Sequence, residues 1–197
     1  MKLHASPPVG SSLKIMAALT LLWLPALQAC HTAHPPRPAL APVPALDLNR
    51  YMGTWYEIFA MPNPYQKNCF ATQAQYTLTD RGEVVVRNSC HKGALTGPLK
   101  EVVGKAWCPD AARPAALKVQ FFWPFSGDYW VLDVDPDYQW AVVGQPKRKY
   151  LWILARTPTL SEAITTRLMA RLPEFGYDPA ALRKTAQPEV TSGTSAP

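Results

Sequence analysis

Between Gly53 and Arg156 the chain falls into eight short apolar runs, at about 53–60, 70–79, 83–90, 99–107, 115–123, 128–134, 138–143 and 150–156. Turn signals stand between them: Asp80-Arg81-Gly82, Gly93 to Pro98, Pro109 to Pro114, Pro124 to Gly127, Asp135-Pro136-Asp137 and Gly144-Gln145-Pro146. Short runs at this regular spacing, joined by short connections, predict an antiparallel β-barrel or sandwich. Leu117, Val119, Phe121 and Trp123 share one face against Lys118 and Gln120. Phe70, Thr72, Ala74, Tyr76 and Leu78 oppose Gln73, Gln75 and Thr79. Each apolar set is expected to face inward. The run 128–134 alternates less clearly, and its inward face is left open.

Behind the last run, Leu160, Ile164, Leu168 and Leu172 recur every four residues and predict an amphipathic helix over about 160–172. Thr159 and Glu162 have capping-box spacing, and Pro173 should end or kink the helix. Its apolar stripe suits packing on the outside of its own barrel, or contact with a membrane surface or a partner. A chain of 197 residues, 48% hydrophobic and 17% charged, suffices for one domain with a real core and excludes wholesale disorder. Aromatic residues at 11% point to a β-rich protein or a ligand cavity.

The one long uncharged stretch lies at the N-terminus, which excludes a polytopic membrane protein. Lys2 and Lys14 precede the run Ile15–Ala29, which leads into Leu27-Gln28-Ala29-Cys30. A basic start, a short apolar run and a small residue read as a secretory signal over 1–29, too short to span a bilayer reliably. Cys30 directly after the small residue resembles the lipobox of bacterial lipoproteins. That resemblance implies cleavage before Cys30 and its lipidation, and His31 in the next position implies sorting to the outer membrane. Residues 30–45 carry prolines at 35, 36, 38, 42 and 44 and read as an extended tether. His31 and His34 have no third ligand nearby and read as part of that tether, so no metal is expected. Residues 188–197 read as a disordered polar tail. The net charge of +6 falls to about +4 without Lys2 and Lys14, and its scatter gives no basic stripe for nucleic acid.

Gly53-Thr54-Trp55-Tyr56-Glu57 resembles the opening signature of the lipocalin family. Asp137-Tyr138 resembles its second motif, and Arg156 closing Tyr150–Arg156 its third. Phe121-Phe122-Trp123-Pro124-Phe125 and the stretch 151–159 are similar to the bacterial lipoprotein branch of that family. The resemblance covers about 46–185, within a domain drawn at 46–187. It implies an all-β fold, an eight-stranded antiparallel up-and-down barrel closed at one end, with one C-terminal α-helix packed outside. It also implies that Trp55 and Arg156 meet at the closed end as a structural cation–π pair.

Such a barrel is just wide enough for one small ligand. The resemblance implies fatty acids or lysophospholipids as guests, bound without a cofactor; a tetrapyrrole or isoprenoid is the alternative. Burying each methylene contributes about 0.8 kcal/mol, so a long chain binds with few specific contacts. The candidate lining residues are Phe59, Phe70, Tyr76, Val86, Val119, Phe121, Trp123 and Tyr129, with Phe59, Phe70, Trp123 and Tyr129 grouped at the open end. Lys147, Arg148 and Lys149 form either a basic rim that steers an anionic headgroup or a solvated turn. A homodimer is left open.

With Cys30 lipidated, Cys69, Cys90 and Cys108 remain. On the implied topology Cys69 and Cys90 lie together at the open end and Cys108 a barrel length away, which pairs Cys69 with Cys90 and leaves Cys108 free. No nucleophile elbow, Walker loop, dinucleotide fingerprint or metalloprotease motif is present. Glu57 and Asp133 are the carboxylates that could point inward, to be paired with an Arg or Tyr or to act as acid or base. The expectation is a binding protein rather than an enzyme, anchored through Cys30 to the outer membrane and facing the periplasm.

Overall fold

The computed structural model describes residues 39–189. The segment 1–29 read as a signal, Cys30, His31, His34, the residues read as a tether as far as Pro38 and those of the expected tail from Val190 onward lie outside the described residues.

A one-turn helix α1 (Leu48–Tyr51), capped by the Asp47 carboxylate, leads into β1 (Gly53–Ala60). There follow β2 (Cys69–Leu78), β3 (Val84–Lys92), β4 (Leu99–Trp107), β5 (Ala116–Phe122), β6 (Phe125–Val134), β7 (Trp140–Gly144) and β8 (Leu151–Ala155). Each strand pairs antiparallel with the next, β8 returns to β1, and β1 also pairs with β2, so the eight strands close into a barrel. A hairpin illustrates how the turns permit this: Gly82, at φ +75°, takes the left-handed conformation the β2–β3 turn requires, and its N–H donates to Thr79 O at 2.9 Å. The helix α2 (Glu162–Arg171) packs outside, and β9 (Arg183–Lys184) pairs with the end of β1. The helix is capped by Ser161, whose Oγ accepts from Ile164 N at 3.3 Å, rather than by Thr159. Ser161 is the extended residue immediately before the first turn, which is where a capping oxygen must sit.

The wall has two buried faces on one side. Ala141, Val143 and Leu154 point into the barrel, whereas Trp140, Val142, Leu151 and Ile153 lie under α2 with Leu168 and Leu172. That is why β7 is apolar throughout rather than alternating. Gly144 ends β7 where Tyr177 crosses: a Cβ there would stand 2.5 Å from the Tyr177 hydroxyl. Bulges change the side-chain parity on β1, β2 and β6. On β6 the bulge between Val131 and Asp133 keeps Val131 inside and turns Leu132 and Asp133 outward, which explains the unclear alternation of that run.

β1 and β2 pair only between Gly53 and Tyr56, then separate. Residues 183–187 fill the gap. Thr185 N donates to Ile58 O at 2.9 Å, Ala71 N to Ala186 O at 2.8 Å, and Gln187 Nε2 to both Glu57 O and Thr72 O at 2.8 Å.

The opposite end is sealed by Trp55, fully buried, with the Arg156 guanidinium 3.8 Å from its ring centroid. The guanidinium also donates to three backbone carbonyls: Nη1 to Thr54 O at 2.9 Å, Nη2 to Arg50 O at 2.7 Å and Nε to Tyr138 O at 3.2 Å. Lysine keeps the charge but not the planar fork. Arg156→Lys should therefore lose about 2–3 kcal/mol in urea unfolding, and an unchanged midpoint would show that the fork is dispensable.

Candidate functional site

The barrel encloses a cavity of about 940 Å³ that opens at the end opposite Trp55. Inward positions of β3, β4, β5 and β8 form aliphatic walls from Val84, Val86, Val102, Ala106, Leu117, Val119 and Leu154, with Phe121 higher on β5. Tyr65, Phe122 and Phe125 stand at the mouth, where they are 76%, 69% and 78% exposed.

Of the lining residues expected from sequence, Tyr76, Val86, Val119, Phe121 and Tyr129 line the cavity, and Phe59, Phe70 and Trp123 do not. Phe59 lies beyond the β1 bulge and pairs with Ile153, so it faces the α2 side. Phe70 precedes the β2 bulge, where Ala71 takes φ +49°, and the inserted residue puts Phe70 on the face opposite Thr72, Ala74 and Tyr76. Trp123 sits in the β5–β6 turn and is 86% exposed. Tyr129 sits deeper than its place among the open-end residues predicts: its hydroxyl reaches down to Tyr51 Oη at 2.8 Å and Tyr76 Oη at 3.1 Å. Burial pushes all three phenols upward, Tyr76 to about 12, so they are neutral donors.

Cys69 and Cys90 are joined in a disulfide at the upper wall, with Cα atoms 5.4 Å apart. Cys108 is free, and its Sγ donates to Asp110 O at 3.1 Å. His91 is engaged with Gly97 O at 2.7 Å. Arg148 ties the β7–β8 turn to the helix end, its Nε donating to Phe175 O at 2.7 Å. Among the described residues, no group of three His, Cys, Asp or Glu side chains could hold a metal ion.

The two inward carboxylate candidates part company. Asp133 faces outward and pairs with Arg171 of α2. Glu57 lines the cavity and is 5% exposed, but its partners are neither Arg nor Tyr. Its carboxyl accepts from Thr185 Oγ1 at 2.6 Å and from Gln66 Nε2, while Gln66 Oε1 accepts from Trp152 Nε1 at 3.0 Å and from Asn63 Nδ2. Burial raises the Glu57 pKa above the ordinary range, and the two donors offset this only in part. The sequence carried no mark of Tyr51 or Gln66 as cavity residues, nor of Thr185 as a partner of Glu57. Tyr51 lies two positions before the first signature, Gln66 in the loop after β1 and Thr185 in the segment after α2.

Residues 46–187 match the family model of a lipocalin-like domain. Temperature-induced lipocalin-1 of Arabidopsis thaliana is 42% identical over 157 residues, covering 75% of this chain and 83% of that protein. Outer membrane lipoprotein Blc of Escherichia coli K12 is 38% identical over 166 residues, covering 84% and 92%. Insecticyanin from the tobacco hornworm Manduca sexta has the same fold, with a TM-score of 0.63 at 21% identity over 77% of this chain and 86% of that one.

Glu57 sets a pH dependence of definite sign. A carboxyl whose folded pKa is raised binds its proton more tightly in the folded state, so stability is fully present below the unfolded pKa and declines as pH rises through the folded one. Glu57→Gln cannot ionise and should not share that decline. Denaturant unfolding of both proteins from acid to neutral pH should show the variant gaining on the parent as pH rises; parallel profiles would refute a raised Glu57.

Proposed function

Since the chain belongs to the lipocalin family, whose barrels are ligand-binding carriers, we propose that it takes up single-chain amphiphiles, fatty acids or lysophospholipids, and stores or transfers them in the cell envelope. The observation that carries this is the open-ended cavity of about 940 Å³ with aliphatic and aromatic walls. Its size falls within the usual range of ligand sites, about 300–1,000 Å³. Binding of this kind needs no covalent step. Anchoring at the outer membrane through Cys30 belongs to the same proposal. It is supported by the lipobox-like sequence Leu27–Cys30 and by similarity to a protein named as an outer membrane lipoprotein.

Detergent-free protein in native mass spectrometry should carry one lipid or, once delipidated, take up one palmitate or one lysophosphatidylcholine. Uptake of neither overturns the proposal. Val119→Trp intrudes on the cavity; displacing about two methylenes of guest should weaken uptake about tenfold.

Anchoring has its own test. Cys30→Ser removes the lipidation site and should move the protein from the membrane fraction to the soluble one. Retention in the membrane fraction would refute an anchor at Cys30.

A further inference from the structure

The floor of the cavity is polar in a way that a hydrocarbon tail does not use. Tyr51 comes from α1, Tyr76 from β2 and Tyr129 from β6, and all three line the cavity. Tyr51 and Tyr76 are stacked at 5.8 Å between centroids, and Tyr129 meets Tyr76 edge-on at 6.1 Å. The rings hold their hydroxyls in a chain, Tyr51–Tyr129–Tyr76, with contacts of 2.8 and 3.1 Å.

A proton count follows. Three phenols carry three protons, and two hydrogen bonds use two of them. Whichever way the chain is oriented, one O–H is left over. Among the described residues no other group hydrogen-bonds these hydroxyls, so the spare donor has the cavity to turn to. Phenylalanine rings would seal the floor equally well against a methyl end, whereas a buried donor facing one is left unsatisfied.

Charge narrows the guest further. The Arg156 guanidinium lies behind Trp55, and its Nε, Nη1 and Nη2 all donate to backbone carbonyls. The lysine that lines the cavity, Lys100, sits across from Cys90 in the upper wall. A carboxylate or phosphate pushed to the floor would touch no cation, because Trp55 stands between it and Arg156 and the guanidinium N–H groups are already engaged. We propose that the tyrosine floor is a hydrogen-bonding subsite for an uncharged oxygen on the buried end of the guest. It would select long apolar chains that carry a hydroxyl or carbonyl oxygen at the end that goes in first. This rests on the reading that the cavity takes a long apolar chain.

The test compares two guests that differ only at the buried end. Delipidated full-length protein is titrated calorimetrically with palmitate and with ω-hydroxypalmitate, whose carboxylates both stay at the mouth. ω-Hydroxypalmitate should bind about 2- to 10-fold tighter, although its terminal hydroxyl makes it the more water-soluble guest. Tighter binding of palmitate would overturn the inference and leave the proposed function standing; binding of neither would overturn both. The proton count adds a second check. Tyr76→Phe leaves two phenols, one hydrogen bond and one spare proton, so the preference should persist. Replacing Tyr51, Tyr76 and Tyr129 together by Phe removes every donor and should reverse it. Loss of the preference in Tyr76→Phe, or its survival in the triple variant, would refute the floor as its source. If the triple variant fails to fold, the wild-type pair of titrations and Tyr76→Phe still decide.

Discussion

The stack of Arg156 on Trp55 is the contact on which the cavity depends. An indole alone would cover the barrel end, but nothing would fix its neighbours. The guanidinium ties three segments together through carbonyls of Arg50 before β1, Thr54 within it and Tyr138 after β6. Trp55 in turn donates its indole N–H to Tyr51 O at 2.8 Å, which sets the short helix under the floor. A charged fork is suited to this task because it offers several donors in one plane and keeps its charge at every physiological pH. The result is a chamber with one mouth.

Above that plate the interior is mixed. The walls are aliphatic, but Glu57 hangs in a net of Gln66, Thr185, Asn63 and Trp152, and the floor is phenolic. These polar groups are held by one another, and none of them is paired with a cationic side chain. An interior without an ion pair among these groups suits a guest that leaves its charged group at the mouth.

Much of the architecture was readable from the chain itself. The eight runs, their turns and the four-residue repeat of Leu160, Ile164, Leu168 and Leu172 reflect local physics, namely strand pleat, turn stereochemistry and helix period. The pairing of Cys69 with Cys90 followed from the strand directions that the family resemblance implies. What escaped reading was parity. One extra residue in β2 put Phe70 on the other face, and one in β1 did the same to Phe59, while no composition marks a bulge at Ala71 or Ile58. Trp123 continued an apolar alternation that the chain abandons to make a turn. Partners such as Glu57 and Thr185 lie 128 positions apart, and nothing local announces a contact between them.

The seam between β1 and β2 has a bearing on how the chain is assembled. The segment 183–187 that bridges it lies downstream of every barrel strand. A polypeptide emerging amino end first therefore presents all eight staves before the piece that caulks the gap between the first two. Until that piece arrives, the upper part of the β1–β2 seam lacks the hydrogen bonds that span it. The side of the barrel is thus closed last, by five residues of which the first two join the sheet edge as β9.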